Sequence, residues 1–105
     1  MKRVEFYVGT KYTETFGNGK AEQWEFDKTM ACNHVERILH AMFHVDGFSY
    51  HWITGYWKGE KEDTIHIILF TELAHCILDA IATELRDALY QESVLLTVND
   101  EQYFI

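Results

Sequence analysis

Two periodicities alternate along this chain, and their order restricts it to few folds. Apolar residues at every second position mark a half-buried strand, and apolar residues three and four apart mark one face of a helix. Val4, Phe6 and Val8 alternate with Arg3, Glu5 and Tyr7 until Gly9 ends the run. Asp27 is a suitable N-cap for a helix in which Ala31, Val35, Ile38, Leu39 and Met42 form one apolar stripe. Asp46-Gly47 supplies its stop, because glycine accepts the left-handed C′ position. Phe48, Tyr50 and Trp52 then alternate in a strand running towards Trp57, Gly59–Glu62 reads as a turn, and Ile65, Ile67 and Leu69 alternate in the antiparallel partner. Thr71 is placed to cap a second helix, with Glu72 favoured by its dipole. Ala74, Ile77, Leu78, Ile81, Leu85 and Ala88 make its stripe, and Val94, Leu96 and Val98 form a last strand.

The order is therefore strand, helix, strand-turn-strand, helix, strand. That is the βαββαβ, ferredoxin-like arrangement, an α+β fold with a four-stranded antiparallel sheet and two helices on one face. Residues 1–105 read as a single domain. Two stretches fall outside the scheme. Gly17-Asn18-Gly19 is a turn signal between β-prone runs, so residues 10–26 read as a projecting hairpin or ordered loop. Asn99-Asp100 can turn the chain so that residues 102–105 add a short strand or a tail.

With 105 residues, 48% of them hydrophobic and no proline, the chain suits one packed core without linkers. Such a domain buries roughly 65% of its unfolded surface and needs neither disulfide nor metal to fold. Cys32 and Cys76 match no redox or metal spacing. Met1-Lys2-Arg3 is followed at once by Glu5 with no apolar stretch behind it, and the longest apolar run, residues 67–70, cannot span a bilayer. A cytoplasmic setting with no membrane contact is expected. The net charge of −8 is uneven: residues 62–105 hold nine acids against Arg86 alone. That excess repels phosphate backbones, so direct nucleic-acid binding is not expected, whereas a basic protein surface would be attracted.

Gly55-Tyr56-Trp57-Lys58-Gly59-Glu60-Lys61-Glu62-Asp63-Thr64 and Gln91-Glu92-Ser93-Val94 carry a resemblance to the PII/CutA-like branch of ferredoxin-like proteins. They resemble more closely a set of small uncharacterised bacterial and phage proteins of that shape. The resemblance implies a homo-oligomer, often a trimer, without assured catalysis. PII proteins hold nucleotides on a glycine-rich loop with basic residues; here a short turn stands in that place.

The segment 48–64 concentrates the candidate chemistry. Tyr50, Trp52, Tyr56 and Trp57, followed by Lys58, Glu60 and Glu62, can hold a planar or cationic ligand by stacking and charge-assisted hydrogen bonds. The same residue types anchor protein partners. His66 lies mid-strand opposite the apolar alternation, and His51 can join it across the hairpin as a base. His40 and His44 share a helix face, but two histidines without a third ligand do not make a designed metal site. No cofactor is called for.

The residues carry furthest the reading of a non-enzymatic oligomeric binding module, a phage accessory protein that sequesters a small ligand or blocks a host protein. The rival is a small ferredoxin-like oxygenase or isomerase using His51 or His66 in a closed pocket. A third reading is an acidic protein inhibitor without a ligand.

Overall fold

A computed structural model describes residues 1–105. Strand β1 (Lys2–Gly9) runs through the middle of a sheet in which every neighbouring pair is antiparallel. On one side it pairs with β5 (Glu60–Thr71) and on the other with β6 (Leu95–Val98). The register sets Phe6 between Ile67 and Leu96, and all three are fully buried. Strand β4 (Ser49–Trp57) extends the sheet beyond β5, and β7 (Glu101–Phe104) extends it beyond β6, giving the order β4-β5-β1-β6-β7.

The sheet thus has five strands, not the expected four. The extra strand is the stretch past Asn99-Asp100. Both residues take positive φ (48° and 71°), which reverses the chain sharply enough for Val98 to pair with Glu101. Strands β2 (Lys11–Thr15) and β3 (Ala21–Glu25) form a separate two-stranded ribbon over the stretch read as a projecting hairpin.

Helix α1 (Lys28–Glu36) starts where Asp27 accepts a hydrogen bond from the Met30 amide at 3.1 Å. Replacing Asp27 with alanine should cost about 1 kcal/mol, read as a lower chemical-denaturation midpoint at constant slope. The helix continues as a π-helical stretch, Arg37–Met42, in which Ile38 and its neighbour Leu39 are both fully buried. It ends at Phe43, with His44 at φ 56°, two residues before the Asp46-Gly47 stop read from the sequence. Met42 consequently lies 42% exposed instead of in the stripe.

Helix α2 (His75–Ala88) also starts later than expected. Thr71 is still the last residue of β5, so its hydroxyl accepts from the Leu73 amide and Ala74 holds the N-cap position. The shift leaves Ala74 and Ile77 exposed and sends Leu78, Ile81, Ala82 and Leu85 inwards. Glu72 pairs with the N-terminal ammonium at 2.9 Å. Both helices cover one sheet face, where Val4, Phe6, Val8, Ile65, Ile67, Leu69 and Leu96 join their buried stripes in one core. No helix is long and apolar enough to cross a membrane.

Candidate ligand-binding cleft

The opposite sheet face ends in a cleft of about 590 Å³, bounded by the tip of the β4–β5 hairpin, the β2–β3 ribbon and the segment 90–93. The chain reverses at that tip over two residues, Lys58 (φ 50°) and Gly59 (φ 78°), so that Trp57 pairs directly with Glu60. Two successive positive φ angles give the tight turn whose twist matches that of the flanking strands. The expected turn at Gly59–Glu62 is therefore shorter, and Glu60, Lys61 and Glu62 already belong to β5.

Two glycines shape the floor. A β-carbon built on Gly9 would come within 2.6 Å of Glu62 Cδ and 2.7 Å of Gln91 Oε1. A β-carbon on Gly55 would run into the Thr64 hydroxyl, with Thr64 Cβ at 3.3 Å. Glycine inside a strand marks such a close approach. The Lys11 backbone fixes what approaches Gly9. Its N–H donates to Glu62 Oε2 at 3.1 Å, and its carbonyl accepts from Gln91 Nε2 at 3.0 Å. Gln91 Nε2 also donates to the Leu89 carbonyl at 2.8 Å, which leaves its amide orientation no choice.

Aromatic rings stand on two sides. Tyr12 and Tyr90 meet edge to face at 5.1 Å on one, and Tyr56, Trp57 and Phe104 line the other. At the rim Lys58 Nζ lies 2.9 Å from Glu92, whose carboxyl is held below its ordinary range first by that ammonium and then by the Trp57 indole N–H. Gln23 reaches across from the ribbon to donate to Glu60 at 2.7 Å. Three carboxylates (Glu60, Glu62, Glu92) face two lysines, and both lysines are engaged, Lys58 with Glu92 and Lys11 Nζ with the Lys61 carbonyl. Such a lining attracts cations and offers no free cation to a phosphate.

The residues singled out from the sequence divide into three groups. Tyr56, Trp57, Lys58, Glu60 and Glu62 line the cleft. Tyr50 and Trp52 do not: register places them opposite Ile67 and Ile65, so they turn towards the helices. There Lys28 Nζ sits 5.1 Å above the Trp52 ring. Burial, then the Cys32 thiol and the Glu36 carboxylate, push the Tyr50 hydroxyl up to about 12. His51 and His66 meet across the hairpin on the open face but lie outside the cleft lining.

The histidines belong to a polar row under the cleft. His66 Nδ1 is 3.1 Å from His51 Nε2, and His66 Nε2 is 3.1 Å from Glu5 Oε1. Glu5 also accepts from the Thr97 hydroxyl at 2.8 Å and from Arg3 at 3.2 Å. The Tyr7 ring lies flat on His66 at 4.3 Å and reaches the cleft itself. Gly9, Tyr7, Tyr12, Tyr90 and Gln91 were all missed as site residues. Gly9 carried a usable signal, a glycine closing an otherwise apolar alternation, and Gln91 stood within a motif already singled out.

No protein-family model and no curated protein sequence matches the chain. Among solved structures it is similar to a phage SAM lyase in complex with S-methyl-5′-thioadenosine, at 17% identity and TM-score 0.70 over 99% of this chain and 88% of that one. The same description holds for a phage SAM lyase in its apo state, at 17% identity and TM-score 0.67 over 99% and 87%. The likeness is one of fold, and it is to a small phage protein, without support for the PII/CutA branch. It corrects the functional expectation. The sequence points to a non-enzymatic binding module, yet the solved structures that share the fold over 99% of this chain are those of a lyase. The enzyme alternative fits that finding better, although the cleft here is open and no histidine lines it.

Proposed function

We propose that this protein is a lyase that cleaves a carbon–sulfur bond of S-adenosylmethionine and releases S-methyl-5′-thioadenosine. The observation that carries the reading is the Glu62 carboxylate, set over Gly9 between two aromatic walls. An adenosyl sulfonium presents a planar base, a positive sulfur and a positively charged ammonium, and no phosphate. Aromatic faces accept both the base and the sulfonium, and carboxylates balance the charge. A cleft of this size suits a ligand of that bulk.

In the reaction the bond between sulfur and the four-carbon amino-acid fragment breaks, and its electron pair goes to sulfur, which becomes a neutral thioether. The fragment is completed by closing on its own carboxylate or by shedding a neighbouring proton. The protein's contribution is to hold the chain in a geometry that favours departure, with the sulfonium against aromatic rings instead of water. The product has lost both positive groups, so the acidic lining holds it less tightly than the substrate.

Self-association and a cytoplasmic setting belong to the same reading, as does the ferredoxin-like pattern: without β7 and the ribbon, the order β4-β5-β1-β6 supports it. Incubating the purified protein with S-adenosylmethionine and following products by liquid chromatography and mass spectrometry tests the proposal. S-methyl-5′-thioadenosine should accumulate in proportion to time and protein. Intact substrate, together with no calorimetric binding of either molecule, would overturn it.

A further inference from the structure

The Lys11 backbone holds two side chains at once, and in each case it leaves one oxygen over. Its N–H occupies Glu62 Oε2, and its carbonyl, with that of Leu89, occupies Gln91 Nε2. The remaining oxygens, Glu62 Oε1 and Gln91 Oε1, both turn to the space above Gly9, where a β-carbon would sit within 2.7 Å of Gln91 Oε1 and closer still to Glu62 Oε1. Neither of these two oxygens is among the bonded acceptors of the fold, and neither is a buried, unpartnered atom. They form a pair of acceptors, one charged and one neutral, converging on the floor of the cleft.

Two such acceptors call for a group with at least two N–H bonds. The surrounding carboxylates Glu60 and Glu92 favour a charged one. We propose that Glu62 Oε1 and Gln91 Oε1 together bind a primary ammonium, the α-ammonium of the amino-acid end of the substrate, and that Gln91 is a specificity-determining residue. The inference rests on reading the cleft as an adenosyl-sulfonium site, and it adds a direction to it. The amino-acid end lies on Gly9, and the sulfonium and base lie towards the aromatic walls. Gly9 has its part in this: without a side chain it lets both oxygens pack close over the same backbone position, and a methyl there would push them away from that spot.

The two ends of the ligand can be tested separately. S-adenosylhomocysteine carries the ammonium on a neutral thioether, whereas S-methyl-5′-thioadenosine has the same nucleoside and no ammonium. Calorimetric affinities of both are compared in the wild type, in Gln91→Leu and in Gly9→Ala. The Gly9→Ala methyl would displace only the ends of two flexible side chains and strains no backbone, so it should fold; thermal melting checks both variants. Each change should weaken S-adenosylhomocysteine about tenfold or more, the worth of charge-assisted hydrogen bonds, and leave S-methyl-5′-thioadenosine within about threefold.

Parallel loss of both ligands would overturn the proposal, because the acceptors would then serve the nucleoside or the shape of the cleft. Unchanged affinity for S-adenosylhomocysteine would overturn it too, as would a wild type that binds only S-methyl-5′-thioadenosine; in both cases the lyase reading stands. A wild type that binds neither molecule yet cleaves S-adenosylmethionine would overturn the proposal alone; one that binds neither and leaves S-adenosylmethionine intact would remove the lyase reading itself.

Discussion

Glu62→Gln should lower kcat/KM for S-adenosylmethionine on the order of 100-fold while leaving the thermal midpoint nearly unchanged. The substitution keeps the shape of the side chain and an oxygen that can accept from the Lys11 amide, so the link between β5 and the start of β2 survives. What it removes is the negative charge beside Gly9. Glu62 is only half buried, which keeps the loss towards the lower end of what a desolvated charge pair costs. Glu60→Gln is the matched control. Glu60 sits at the exposed rim, bonded to Gln23, and its replacement should cost less than about threefold. Steady-state rates for the pair decide the matter: equal, small losses would remove Glu62 from the chemistry and leave the acidic lining as a diffuse attraction.

The unequal fates of these residues show which parts of the molecule a sequence discloses. Strand parity was legible. Val4, Phe6 and Val8 alternate because one face of β1 is in the core, and the register confirms that face through Ile67 and Leu96. The hairpin that forms one side of the cleft was legible too, although its turn, expected over Gly59–Glu62, falls on Lys58 and Gly59. Nearness in sequence to Tyr56 and Trp57 does not bring Tyr50 and Trp52 into the cleft. Both share the parity of Ile65 and Ile67 across the hairpin, which sends them to the helices.

Gly9, Tyr12 and Gln91 were hidden for a different reason. They come from the end of β1, the ribbon and the segment after α2, and only the closing of the sheet brings them to Glu62. Long-range convergence leaves no local periodicity. Helix boundaries slipped for local reasons: Thr71 finds a ladder partner in Lys2, which outweighs its preference for a cap. The non-enzymatic reading followed from the same blindness, because a cleft assembled from five separate segments shows no motif along the chain.

The largest loss of stability should come from Glu5→Ala, about 3 kcal/mol out of the 5–15 kcal/mol typical of such a domain. Glu5 is 8% exposed in the middle strand and is buried with its cross-strand partner Thr97, although Arg3 and Tyr7 on its own strand are reached by solvent. Its carboxylate is the common acceptor for the Thr97 hydroxyl from β6, the His66 ring from β5 and Arg3 from its own strand. Alanine would leave those donors unpaired across three strands and free the His66 ring on which Tyr7 lies.

The same residue sets a pH dependence. Burial by itself would raise the Glu5 carboxyl, but the bonds from Thr97, His66 and Arg3 outweigh it and hold the group below its ordinary 4.5. A group lowered in the folded state contributes stability that is complete above its unfolded value and is lost as pH falls through its folded value. Stability of the wild type should therefore fall as the medium is acidified below about 4.5, with Glu5 responsible for part of the slope. Glu5→Gln keeps an acceptor in place and removes the titration. Urea midpoints of the two proteins between about pH 3 and 6 should converge towards the acid end. Parallel curves would mean that the row from Arg3 to His51 is held by shape and neutral hydrogen bonds, with no net contribution from the charge at its centre.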